Sequence, residues 1–136
     1  MPVRLPALAV AVALAALVTS AVATATIRSM QTHLAAHLSG MGEHGIVNLT
    51  STADAGRICW TFDVPTKGIT QASIRDASGM KVVELGMHYI AKGCDSAAKK
   101  TLTKIEATPA AYRVWVDTKA HQGELRGKLF AGMAHM

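Results

Sequence analysis

The stretch YRVWVDTKAHQGELRGKLF, residues 112–130, runs through strand, turn and strand signals without a gap. Tyr112, Val114 and Val116 alternate with Arg113, Trp115 and Asp117. Lys119 to Gly123 supplies a turn, and Leu125, Gly127 and Leu129 then alternate with Glu124, Arg126 and Lys128. Period-two alternation on both sides of a glycine-containing turn predicts a β-hairpin with one apolar face.

The same pattern extends upstream. Residues 57–64 alternate, with Ile58, Trp60 and Phe62 on one side and Arg57, Cys59, Thr61 and Asp63 on the other, until Pro65 to Gly68 stops the run. Residues 69–76 place Ala72 and Ile74 opposite Gln71, Ser73 and Arg75; Ser78 and Gly79 turn the chain, and residues 80–87 return as a valine-centred strand. Residues 33–40 and 45–52 read as two further strands. Residues 88–100 are the least regular part and suggest a helical turn, while 101–107 fit a short strand or an extension of that turn. Seven or eight short strands at this spacing predict an all-β, antiparallel sandwich or barrel. The inward set is Ile58, Trp60, Phe62, Ala72, Ile74, Val83, Leu85, Val114, Val116, Leu125 and Leu129.

At the N-terminus, Arg4 precedes an apolar run from Leu5 to Ala25 that ends in a small-x-small site, Ala21 to Ala23. This predicts a signal peptide at 1–23, a flexible lead-in at 24–32 and the sandwich domain at 33–136. A retained anchor is the competing reading, and the alanine-rich character of the run weighs against it. After cleavage no transmembrane segment is expected, and the location is secreted or extracytoplasmic. In such a compartment the two cysteines, Cys59 and Cys94, predict a disulfide. The loop it closes corresponds to about 4 kcal/mol in the chain-entropy model.

Removal of Arg4 leaves thirteen basic against nine acidic residues, a net charge of +4. No long basic run with interleaved aromatic residues is present, which argues against a nucleic-acid partner. Asn48-Leu49-Thr50 matches the glycosylation acceptor pattern. No phosphate loop, nucleophile elbow or close carboxylate pair suggests an enzyme, and no cofactor is implied.

Leu38-Ser39-Gly40 with Glu43, Cys59-Trp60, the segment from Ala72 to Gly79, Gly93-Cys94 and, most specifically, Gly123-Glu124-Leu125-Arg126-Gly127-Lys128-Leu129 together resemble a CHRD domain over residues 33–130. The resemblance implies an extracellular Greek-key β-sandwich, similar in general shape to the copper/zinc superoxide dismutase sandwich, in a family whose members mostly lack a defined activity. In that family the segment at Ala72 usually reads Ala-His-Ile-His and the strand ending at Thr118 reads Val-His-Thr, histidines that look like a metal or ligand site. Here Ser73, Arg75 and Asp117 stand at those positions. A guanidinium has no lone pair to offer a metal. The exchange therefore predicts a structural ion pair between Arg75 and Asp117, contributing about 0 to 1 kcal/mol.

Together with Trp115, these three residues form the candidate binding face. Trp115, beside Arg113 and Lys128, is expected to be covered by a loop; the alternative is an exposed anchor for a partner or a sugar ring. His33, His37 and His44 are the remaining candidates for a weak zinc or copper site, while His88, His121 and His135 are isolated. The expected function is that of a non-enzymatic binding or structural module of the cell envelope or exterior, meeting an unknown protein or envelope ligand. The alternative is a metal-binding redox protein of superoxide-dismutase-like shape, and assembly through an open sheet edge is a third possibility.

Overall fold

A computed structural model describes residues 30–132. The expected signal peptide, most of the lead-in and His135 lie outside the described residues. Eight strands follow in order: β1 (Thr32–Gly40), β2 (Glu43–Thr52), β3 (Arg57–Asp63), β4 (Ile69–Asp76), β5 (Lys81–Glu84), β6 (Lys92–Ser96), β7 (Tyr112–Thr118) and β8 (Leu125–Ala131). One helix, α1 (Lys99–Ala107), lies between β6 and β7. All pairings are antiparallel, in the spatial order β5-β4-β7-β8-β1-β2-β3-β6. The fold is all-β, as the alternation requires, and its two layers are the halves of one continuous curled sheet.

The curl is sealed by the segment joining β5 to β6. Leu85 and Tyr89 donate their N–H groups to Ala72 O and Thr70 O on the β4 side, at 3.0 Å each, while Ala91 O accepts from Phe62 N–H of β3 at 2.7 Å. One linker thus satisfies backbone groups of the penultimate strand at each end of the sheet. Trp60 Nε1–H donates to Ile90 O at 3.0 Å beneath it, and the rings of Phe62 and Tyr89 meet edge to face at 5.5 Å. Burial pushes the Tyr89 phenol above its ordinary pKa.

Every inward residue expected from alternation is buried, joined by Leu34, Ala36, Leu38, Val47 and Leu49 from β1 and β2. Helix α1 adds Leu102 and Ile105, three apart on one face and both buried. The buried Ser51 hydroxyl donates to Glu106 Oε2 at 2.6 Å and ties the helix to β2. Where β8 meets β1 the approach is so close that a Cβ on Gly127 would strike the His37 carbonyl. Only glycine allows this seam, whose pairs run from Leu34/Ala131 to Ser39/Arg126.

Three segments depart from expectation. The strand read over 80–87 ends at Glu84, because Gly86 takes a left-handed φ of 86° and turns the chain into the sealing linker. Within 88–100, β6 is a full strand that buries no side chain. Residues 99–107 are helix, which settles the choice between strand and turn.

Candidate binding face

The outer face of β4, β7 and β8 is organised in rows by strand register. Arg75 pairs with Lys81 of β5 on one side and Arg113 of β7 on the other, and Arg113 pairs with Lys128 of β8. Four cations therefore stand in one row across four strands. Like charges directly opposite one another are destabilising. Lys81 is drawn to Glu84 at 3.2 Å and to Gln71 Oε1 at 3.3 Å. Among the described residues no carboxylate pairs with Arg75, Arg113, Arg126 or Lys128.

In the next row Trp115 stands between Ser73 of β4 and Arg126 of β8. The Arg75 guanidinium lies 4.3 Å from the indole centroid and that of Arg126 lies 4.0 Å from it. They reach the ring from the strands on either side of β7 and clasp it between them. Such contacts contribute about 0.5 to 1 kcal/mol each where exposed. Each guanidinium is also tethered to backbone, Arg75 Nη1 donating to Gly79 O at 3.0 Å and Arg126 Nε to Gly123 O at 3.1 Å. Gly123 has a φ of 62°, and a Cβ there would come within 2.8 Å of both Trp115 Cε3 and Arg126 Nε. This glycine makes room for the clasp.

The expected ion pair between Arg75 and Asp117 does not form. In the register Asp117 faces Gln71 and Arg75 faces Arg113, so the row of Ser73 and Trp115 separates them. Asp117, 8% exposed, instead accepts from Gly123 N–H at 2.6 Å and fixes the β7–β8 turn. Thr118 Oγ1, which donates to Glu124 Oε1 at 2.9 Å, closes the same turn. Trp115 is half-buried: the Gly123 backbone of the β7–β8 turn packs against the indole edge at Cε3, and the Arg75 and Arg126 guanidinium groups lie over the ring. Ser73 is fully buried under this row, and its Oγ has no hydrogen-bond partner; neither does the buried Arg75 Nε. Of the four residues expected to share a face, Ser73, Arg75 and Trp115 come together, while Asp117 serves the turn.

Below the clasp, the β4–β5 turn is held by Asp76. Its Oδ1 accepts from Ser78 N–H at 2.9 Å, Ser78 Oγ–H at 2.6 Å and Met80 N–H at 3.0 Å. The Ser78 hydroxyl first, then the Met80 amide, hold the Asp76 carboxyl below its ordinary pKa. The turn presents the Gly79 carbonyl that Arg75 uses.

On the other half of the outer face the histidines do not converge. His33 and His37 both point outward from β1, but four residues of strand place them about 13 Å apart. The His33 Nδ1 is 3.4 Å from Thr50 Oγ1, His37 stacks on Phe130 at 5.2 Å between centroids, and His44 lies exposed at the start of β2. Among the described residues no group of three or more His, Cys, Asp or Glu side chains is placed to hold a metal ion. Cys59 and Cys94 face each other across β3 and β6 and form the expected disulfide.

Alternation put Arg126 and Lys128 on the outer face and set Trp115 beside Arg113 and Lys128, which stand in the adjacent row, but it did not reveal which side chains reach the ring. The groups over the ring belong to Arg75 and Arg126, and the missing signal was register. The segment from Lys119 to Glu124 decides which β8 residue stands opposite Trp115, and no local pattern reveals that count. Comparison of the chain with protein-family models, curated proteins and solved structures finds no match.

Proposed function

We propose that this protein is a non-enzymatic binding module of the cell exterior or envelope, and that it meets its ligand on the outer face of β4, β7 and β8. The observation that carries this reading is the row of Lys81, Arg75, Arg113 and Lys128 held beside the clasped Trp115. A fold gains nothing from like charges set opposite one another, whereas a ligand of complementary charge does. On the CHRD-like reading, relatives carry histidines at positions 73, 75 and 117, so this chain would have exchanged imidazoles for a cationic surface on the same face.

The disulfide supports an extracytoplasmic location, since such bonds persist in oxidising compartments. No helix among the described residues is long and apolar enough to cross a membrane.

The test is attachment of the labelled protein to envelopes of its host, compared with the Trp115→Ala variant. Removing the ring releases both guanidinium groups and costs about 1 to 2 kcal/mol of stability, leaving the fold intact. Wild type should bind saturably and the variant at least about tenfold more weakly, a difference of roughly 1.4 kcal/mol. Equal attachment of the two folded proteins would remove this face from consideration.

A further inference from the structure

We propose that the ligand of this face is a polyanionic glycan, an extended chain of sulfated or uronic sugars lying across the strands; this rests on the reading that the face is the binding surface. With Lys81 engaged by Glu84, the row offers Arg75, Arg113 and Lys128, one on each of three successive strands about 4.8 Å apart. That interval is close to the length of one sugar unit in an extended glycan, so successive anionic groups meet successive strands. The surface is a flat sheet face, which suits a chain laid over it.

Donor capacity points to oxyanions. Arg75 spends one N–H on Gly79 O and Arg126 spends its Nε–H on Gly123 O, which leaves the other guanidinium N–H groups for a ligand. Planar, tethered guanidinium groups match sulfate and carboxylate better than mobile ammonium groups do. Two guanidinium groups already lie over the Trp115 ring and compete with any base for stacking on it, which disfavours a single-stranded nucleic acid.

The experiment measures binding of the full-chain protein, as processed by its host, to dextran sulfate. Neutral dextran, poly-glutamate and an oligodeoxynucleotide matched in charge serve as comparison ligands. Two variants lose the same charge in different places: Arg75→Gln/Arg113→Gln/Lys128→Gln in the row, and Lys99→Gln/Lys100→Gln/Lys104→Gln on α1. Dextran sulfate should bind more tightly than the other three. The row variant should bind about tenfold more weakly, equivalent to roughly 1.4 kcal/mol, and the helix variant nearly as wild type. The slope of log affinity against log salt should fall by about two to three in the row variant only.

Equal losses in the two variants would reduce the interaction to net charge and overturn the proposal. Tighter binding of poly-glutamate or DNA would do so by assigning the face to another class. Absence of dextran sulfate binding while Trp115-dependent envelope attachment persists would overturn the glycan alone, whereas loss of both would bring down the binding face itself. Should the row variant fail to fold, Lys128→Glu, at an exposed position, takes its place with the same expected direction.

Discussion

The outer surface of the sheet divides at the β8–β1 seam into two halves that share one backbone scaffold and one core. On the β5-β4-β7-β8 side, cations face one another across successive strands and a tryptophan is clasped between guanidinium groups. On the β1-β2-β3-β6 side, the centre of the face carries His33, Asn48, Thr50 and Thr61, and the far edge is pinned by a disulfide. Inward residues on both sides are equally buried, so the difference is not one of core support. One half tolerates an unfavourable charge arrangement and the other invests in a covalent staple. On the proposed reading, stability and recognition fall on separate strands of a single sheet.

The seam itself gives the largest expected effect. Gly127→Val forces a Cβ and two methyl groups into the His37 carbonyl, where backbone rather than a flexible side chain stands in the way. Unfolding in urea should report a loss of about 4 kcal/mol or more, with both halves lost together. A variant that kept near wild-type stability would mean that the halves are not held by this approach.

Reduction of the disulfide should separate the halves. The Cys59→Ala/Cys94→Ala variant is expected to lose about 2 to 4 kcal/mol. β6 buries no side chain and otherwise depends on its ladder with β3, so amide exchange at Gly93 to Ser96 should rise first. Envelope attachment through Trp115 should survive in the fraction that remains folded. Loss of attachment in step with β6 protection would show that the two faces are coupled.

How far the sequence reached follows the same division. The hairpin, β3 and β4 were legible because each has one wet and one dry face, which is the condition for alternation. β6 was not, since Lys92, Gly93, Cys94, Asp95 and Ser96 bury nothing and leave no hydrophobic period to read. The disulfide was the signal that could have found it: a bridge to Cys59 requires Cys94 within about 7 Å, hence on a neighbour of β3. Helix α1 shows only Leu102 and Ile105 as apolar contacts, too few to declare a 3.6-residue period. For the binding face, composition and alternation placed Arg75, Trp115 and Lys128 outward. The row they form exists only once register is known, and register is set by turns and by sheet order.

A charge substitution in the row sharpens the contrast by moving stability and binding in opposite directions. Lys128→Glu replaces a repulsive pair with Arg113 by an attractive one and should raise stability by about 0.2 to 1 kcal/mol. The same variant should weaken attachment to anionic surfaces. If it lowered stability instead, the row would be a structural asset and the argument from repulsion would fail.

The smallest expected effect concerns pH, and it is confined to the cationic half. Asp76 accepts three hydrogen bonds in its turn and its carboxyl is held below the ordinary value. A carboxyl whose pKa is lower folded than unfolded contributes stability above its unfolded pKa. That contribution disappears as the pH falls through the folded pKa. Wild type should therefore exceed Asp76→Asn in stability at neutral pH by a small margin that closes on acidification below the ordinary carboxylate range. Because the turn presents Gly79 O to Arg75, the protection of the Ser78 and Met80 amides, measured against their intrinsic exchange at each pH, should fall over the same range, while that of Cys94 and its neighbours stays constant. A stability difference that stayed constant with pH would mean that the carboxylate is not what holds this turn, and that Arg75 takes its position from Trp115 alone.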